Sequence, residues 1–481
     1  MPQSSAFPVF RVTVLSGLLF AAALPVVAAN DDTAAAGGAS KVRIVRLSEV
    51  KGAVQMDRNI GRSFEPAFAN MPVVEKSSLR TEEGAAEVEF EDNSTLRLAP
   101  NTVVDFPQLE RLPSGATATS VRVVRGLAYV SLVKSQGNDF HLLFDRREIA
   151  LPPGTHVRLT LDDAQARLAV LDGSLKIDAP SGDVNVNHKE TATFHLADER
   201  PPSVMNEIAS DPFDSWDKDA ASYHSRTATM SAFGNAPYAY GLNDMSYYGS
   251  FADAGGCGMM WRPYFTSADW DPYSNGAWAY YSGAGYSWVS PYPWGWTPYH
   301  YGSWSFCPGT GWGWMPGGYW NGLGNNIAVV GNGGAPYRFQ PPPAHPPGPA
   351  GPTLASVNLK PVVRSGVTSA DSFVFRKDSA GLGVPRSELG KLEKFSRQAD
   401  NRGVANTHVY MTLPTAQPGR QMAGAVGPVS MHRGAPPETA PRGGFEREGG
   451  MGGGGSMGSS MGSSASSASS GRASSGSSAH H

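Results

Sequence analysis

The 481-residue chain has only two cysteines, Cys257 and Cys307. They do not form a CxxC pair and no histidine lies beside either, so neither reads as a redox or catalytic thiol. Charge is also scarce. Asp, Glu, Lys and Arg make up 17% of the residues, and 39 basic against 42 acidic side chains leave a net charge of -3. That balance excludes the basic field with which nucleic-acid-binding proteins meet phosphate, and no nucleic-acid partner is expected. HExxH and Walker loops are absent, GxGxxG matches occur only in the Gly-rich run 449–458 of the tail, and the eleven histidines are scattered, so no cofactor and no metal-ligand set is expected. Beyond residue 29 no run approaches 18 apolar residues, the length that spans a bilayer.

The one long apolar run is at the start. Residues 1–29 carry a single charge, Arg11, then an apolar stretch from Val12 to Val27 interrupted by Pro25, then Ala28 and Ala29. Val27 and Ala29 occupy the -3 and -1 positions of a cut before Asn30, the order of a secretory signal peptide. An uncleaved membrane anchor is the alternative. With cleavage, the expected location is the periplasm or the exterior of a bacterial cell, with no stable transmembrane anchor. In that oxidising setting Cys257 and Cys307 are candidates for a disulfide, with two buried free thiols as the alternative.

Residues 41–197 read as consecutive short strands. Val42, Ile44 and Leu47 alternate in the first, Val88 and Phe90 in another, then Leu96 and Leu98 across the polar stretch Glu91-Asp92-Asn93-Ser94, a hairpin signature. Further runs cover Val121–Val130, Phe140–Phe144, His156–Leu161 and Ala166–Ile177, the last with a turn at Asp172-Gly173. Strands at this spacing imply an all-β sandwich, roll or barrel. The order resembles the FecR domain, a β-rich extracytoplasmic domain of bacterial signalling proteins. The resemblance is carried by Leu79-Arg-Thr81 with Ala86–Phe90, by Asp92–Thr102, by Val123-Val-Arg-Gly126, and by the closing pair Pro153–Val157 and Ala169–Leu175. Asn93 stands where the family has Gly, which a turn tolerates because Asn accepts positive φ. The apolar leader directly precedes the domain, where FecR proteins of the usual architecture carry a cytoplasmic anti-sigma segment and a transmembrane helix.

Asp211-Pro212 has the form of a helix start, with Asp as cap and Pro at the first position, so a short helix is expected before the next module. Residues 205–330 form that module. From Trp261 to Trp320, 21 of 60 residues are Trp, Tyr or Phe, and the only charges are Arg262, Asp269 and Asp271. W-x-P occurs at Trp261, Trp270, Trp296 and Trp314, followed by Tyr in the first three, and W-G-W at Trp294–Trp296 and Trp312–Trp314. In an extended chain each W-G-W sets two indoles on one face. The segment resembles an uncharacterised Trp/Tyr-rich domain that follows FecR-like domains in some bacterial exported proteins. Most rings are expected in the core, with Trp294, Trp296, Trp312 and Trp314 inward. Tyr264, Trp270, Tyr273 and Tyr299, beside Pro turns and acids, are expected to form an exposed stacking face.

Residues 331–353 read as a Pro-rich linker, residues 354–415 as a weakly structured segment with a short helix around Ser387–Ser396, and residues 416–481 as a disordered Gly/Ser-rich tail. No catalytic constellation survives inspection. Gly454-Gly-Ser456-Met-Gly458 matches a nucleophile elbow but lacks the strand and helix around it, Asp269 and Asp271 read as loop acids, and His156 as a core or edge residue. The expectation is a non-enzymatic, mainly β protein of the cell envelope, sensing, binding or serving as a scaffold for an envelope protein, as the family resemblance implies. A glycan- or peptidoglycan-binding module using exposed Trp and Tyr is the alternative.

Overall fold

The structure, a computed structural model, describes residues 43–408 apart from 136, 179–181, 199, 226–232, 234–235, 319, 324–328, 331–338, 359–371, 385 and 387–390. The expected signal peptide and Gly/Ser-rich tail lie outside those residues. Among the described residues no helix is long and apolar enough to cross a membrane.

The alternation read in 41–197 builds strands, and its period decides their faces. Ala85–Glu89 pairs with Thr95–Leu98 in the register Val88↔Leu96 and Glu87↔Arg97, so the apolar pair lies on one face and the ion pair on the other. The hairpin turns through Asn93, whose φ of 72° is the left-handed conformation expected where the family has Gly. Asp92 Oδ1 accepts the Ser94 amide at 2.9 Å and closes the turn.

Two sheets share one long strand, Thr117–Ser131. Its second half pairs with Thr95–Leu98 and His156–Leu161, and its first half with Val103–Arg111 and Asn138–Phe144. The strand changes sheet near Gly126, at φ 97°, where a Cβ would lie 2.6 Å from the Thr102 backbone; only glycine fits this crossing. Val88, Leu96, Val130 and Leu159 from one sheet and Val104, Val121, Phe140 and Leu142 from the other form one buried cluster, with Phe90 and Phe140 edge to face at 5.5 Å. This is the two-layer β domain expected from the pattern.

The helix foreseen after Asp211-Pro212 runs over Asp214–Ser225, and Asp211 Oδ1 accepts the Phe213 amide ahead of it. A second helix, Leu242–Tyr248, leads into the aromatic module. The module contains a sheet ordered Gly249–Asp253, Met259–Pro263, Gly311–Met315, Ser303–Cys307, Val329–Val330. A smaller one is ordered Gly285–Val289, Gly276–Tyr281, Leu354–Asn358. Trp312 and Trp314 share a face of their strand, and a Cβ on Gly313 would lie 2.7 Å from Met260, so Gly is what lets Met260 pack behind the indoles. The W-G-W at Trp294–Trp296 behaves differently: it lies outside any strand, and Trp294 joins the main aromatic cluster while Trp296 joins Ile44 and Tyr240. All four of these Trp are buried.

The C-terminal organisation departs from the sequence reading. The described part of the expected linker lies on the aromatic module, with Trp278 Nε1 donating to Gln340 O at 2.8 Å. The segment read as weakly structured supplies Leu354–Asn358 to the smaller sheet, a hairpin of Ser372–Arg376 with Val404–His408, and the helix Leu392–Arg402, a few residues beyond the position expected. Phe375, Leu382, Val384, Leu392 and Ala399 pack into the aromatic cluster. Sequence patterning misses this because each piece is too short to show a period alone and is stabilised by rings contributed from elsewhere.

Cys257 and Cys307 are joined by a disulfide. It ties the Gly-rich turn after Ala254 to the end of strand Ser303–Cys307 and closes a loop with a sequence separation of 50 residues. Replacing both by Ala is expected to lower stability by about 4 kcal/mol through loop entropy, measured as a fall in the urea midpoint that reductant reproduces in the unaltered chain.

Candidate functional site

The outward face of the FecR-like sheet carries charge, and that charge is buried. Arg46 in strand Val45–Lys51 lies opposite Glu89, and Arg97 lies opposite Glu87. Tyr129 is opposite both Arg97 and Arg158. A face of this kind is expected to meet water; here the helices Asp214–Ser225 and Leu242–Tyr248 and the side chain of Arg386 cover it with complementary groups.

Arg46 is the centre. Its Nη1 lies 2.6 Å from Asp244 Oδ2 and 2.8 Å from Glu89 Oε2, its Nε donates to Asn70 Oδ1 at 2.8 Å, and its Nη2 to Pro293 O at 2.6 Å. Asn70 in turn donates to Ser290 O and Tyr292 O of the aromatic module. Beside them Glu87 accepts from Arg97 at 2.9 Å and from Arg386 at 2.6 Å, with His224 Nε2 at 2.9 Å. Arg97 also reaches Asp217 at 2.9 Å, which His156 Nε2 meets at 2.9 Å. Further along, Arg158 and Tyr129 both bond Asp214. His156 is thus a partner of the covering helix, consistent with the edge-residue reading.

The ionisation of these groups follows from what surrounds them. Burial alone would raise the Glu87 carboxyl, yet the charges of His224, Arg386 and Arg97 hold it well below the usual range. Burial likewise opposes ionisation of Asp244, and Arg386, Arg46 and the Tyr223 hydroxyl, which donates to it, bring it below its ordinary value. Arg46 loses by desolvation and is raised on balance by Asp244 and Glu89. A network so closed binds elements together; its polar groups already face one another.

His300 is of another kind. Burial presses it down to about 4, against the Gly322 carbonyl that accepts from Nδ1 at 2.7 Å. Its folded value lies below the ordinary 6.5 of histidine, so the unfolded chain takes the proton first and stability falls as pH drops from 6.5 toward 4. Glu87 and Asp244 add their loss only at lower pH, below the ordinary carboxylate range, where the unfolded chain takes protons that the folded carboxylates, held below their usual values, still refuse. Melting followed from pH 7.5 to 5 is expected to show a decline that His300→Gln reduces by about 2 kcal/mol.

The four residues expected to form an exposed stacking face do not do so. Trp270, Tyr273 and Tyr299 retain 5%, 1% and 7% of their accessible surface, and Tyr264 is half-buried against the same cluster. Trp270 packs edge-on to Trp294 and Trp304, Tyr273 against Trp288, Tyr299 and Phe339, and the Tyr299 hydroxyl donates to Pro272 O. The expectation put these four on the surface because a 60-residue module cannot hide 21 rings by itself. The FecR-like domain and described residues between 339 and 408, Phe339 and Phe375 among them, supply cover for the module's rings. Asp269 and Asp271 do not act as a pair: Asp269 is exposed, whereas Asp271 is buried and accepts the Tyr273 amide at 2.7 Å.

The seam between the two domains is apolar as well as ionic. Ala279, Tyr281 and Val289 of the smaller sheet belong to the FecR-like core cluster, the Tyr281 hydroxyl donates to Pro72 O at 2.7 Å, and Arg58 donates to Tyr280 O at 2.5 Å. Sequence reasoning missed Arg46, Glu87, Glu89, Asp217, Asp244 and Arg386. A partial signal existed in Glu87-Val88-Glu89 facing Arg97 across a hairpin, but alternation alone cannot tell a solvated face from a covered one.

Fold and seam define a mainly β chain in which a two-sheet domain is built into an aromatic-rich one. Residues 77–176 match the FecR protein family and residues 242–329 a family of unknown function, DUF6600. The chain therefore carries a FecR domain followed by a DUF6600 domain. Two crystal structures from Parabacteroides distasonis ATCC 8503, both described as a candidate anti-sigma factor, are similar to part of it at 17% and 15% identity. They cover 27% and 34% of this chain and 60% and 72% of their own, each with a TM-score of 0.23. A likeness of that degree decides neither fold nor function. No curated protein matches the chain.

Proposed function

We propose that the chain is a non-enzymatic sensing or scaffold protein of the bacterial envelope, exported by residues 1–29 and acting through a protein partner. The FecR domain supports a sensing or regulatory role at the envelope. The observation that carries the reading is the seam: strands of the FecR domain and helices of the module share one buried ion network around Arg46. An event on either domain is thereby felt by the other. The convergent polar groups at that seam are paired with one another, which favours assembly over turnover. Burial of Trp270, Tyr273 and Tyr299 removes the flat exposed rings that the glycan alternative requires.

Cross-linking in intact cells, followed by fractionation and sedimentation with purified peptidoglycan, tests this. The expected result is a mature chain starting at Asn30, outside the cytoplasm and cross-linked to a protein. Retention on peptidoglycan without any protein cross-link contradicts the reading.

A further inference from the structure

Residues 339–353 lie along the aromatic module as a strap. The Phe339 ring meets Tyr273 at 5.5 Å and Trp278 at 5.9 Å, edge-on to both. Trp278 Nε1 donates to Gln340 O at 2.8 Å and the Tyr286 hydroxyl to His345 O at 3.2 Å. Arg62 Nη2, from the FecR domain, donates to Gly348 O at 2.8 Å and Gly351 O at 2.7 Å. These four hydrogen bonds all end on backbone carbonyls. Proline fixes φ and removes the amide donor, so Pro341-Pro-Pro-Ala-His-Pro-Pro347 favours an extended backbone whose carbonyls are free to accept. Phe339 and Pro342, three residues apart, are half-buried, whereas most of 340–350 is exposed.

We propose that the groove formed where Tyr273, Trp278, Tyr286 and Arg62 hold this strap is a receptor for proline-rich polypeptide segments bearing an aromatic anchor, and that residues 339–353 occupy it in cis as a displaceable ligand. Aromatic donors that read carbonyls of an extended proline-rich chain are a transferable mode of recognition, because the contacts do not depend on the ligand's own side chains beyond the anchor. The strap's light burial fits an occupant held by its tether, since a short linkage supplies an effective concentration in the millimolar range. The partner is thus another polypeptide presenting such a segment. The inference deepens the reading above and rests on it for the partner being a protein.

The test uses the full chain with Phe339→Ser and residues 341–347 replaced by a Gly/Ser sequence of equal length. The probe is a fluorescent synthetic peptide of residues 338–353. The altered chain is expected to bind the probe at least about tenfold more tightly than the unaltered chain, whose strap competes at its effective concentration. Trp278→Phe in the altered chain, which keeps a ring and removes the indole N–H, is expected to weaken binding severalfold, and a peptide with every Pro replaced by Gly is expected not to compete. No uptake at about 1 mM probe by an altered chain that melts like the parent overturns the proposal, as does equal uptake of the Gly peptide. Should the altered chain fail to fold, a protease site placed in 331–338 of the unaltered chain frees the strap at its N-terminal end and leaves Leu354–Asn358 in its sheet. Probe exchange into the cut protein then supports the groove, and its absence overturns it. Dimers that exchange straps but take up no free peptide confine the groove to copies of this chain and also overturn it. Each of these failures leaves the envelope reading standing, because that reading is tested by the cross-link.

Discussion

Replacing Arg46 by Met is expected to destabilise the chain by about 3–5 kcal/mol, the penalty for leaving buried carboxylates without their cation. The side chain is fully buried and holds Asp244, Glu89, Asn70 and the Pro293 carbonyl at once. Met keeps the apolar stem and removes the guanidinium, so the loss combines stranded carboxylates with the space the head group vacates. Urea denaturation measures it, and a second variant identifies the cause: adding Asp244→Asn and Glu89→Gln to the Met substitution is expected to restore part of the loss, because the stranded charges are gone. If the triple variant is as unstable as the sum of its parts, the carboxylates are not the reason and the account of the seam is wrong.

Trp294→Ala is expected to have an effect of similar size, about 3–5 kcal/mol, from lost transfer energy and the cavity left behind. Trp294 has no accessible surface. Its ring lies 4.9 Å from Tyr292 in a parallel stack, 5.0 Å from Trp261 and 5.8 Å from Trp304, and its Nε1 donates to Ala380 O at 2.5 Å. Truncation therefore removes the centre of the cluster and orphans a carbonyl of the C-terminal segment. Trp294→Phe keeps ring contact and is expected to lose clearly less. A Trp294→Ala urea midpoint close to that of the parent chain would show that the cluster can repack and that the rings are not its core.

Much of this architecture is readable from residues, and the limits of that reading have physical causes. Two-residue alternation in 41–197 fixes strands and their inward sides, and Asn93 foretells its turn, because both are local properties of the backbone. The crowding of aromatics between Trp261 and Trp320 foretells a ring-built core, and the inward placement of Trp312 and Trp314 follows from their spacing. The burial of Tyr273 and Trp270 is not local. It depends on Phe339, distant in sequence, against Tyr273 and on Trp294 and Trp304 against Trp270. The ion network escapes sequence reading for the same reason: Glu87 and Arg97 look like the solvated face of a hairpin until Asp217, His224 and Arg386 are brought over them by folding. Position relative to a Pro turn proved a poor guide to exposure, since Tyr299 and Tyr273 follow Pro and are both covered.

The central claim is that the FecR domain and the aromatic module share one folded unit through the Arg46 seam. Native-state hydrogen exchange, read by mass spectrometry across a urea series, tests it most directly because peptides from the two domains are followed separately in one sample. Amides of Val121–Val130 in the shared FecR strand and of Trp304–Trp314 in the module are predicted to lose protection together, at the same urea concentration and with the same dependence on it. Loss of protection in the module while the FecR strand stays protected would contradict the claim, and would make the buried charges a local feature of one domain.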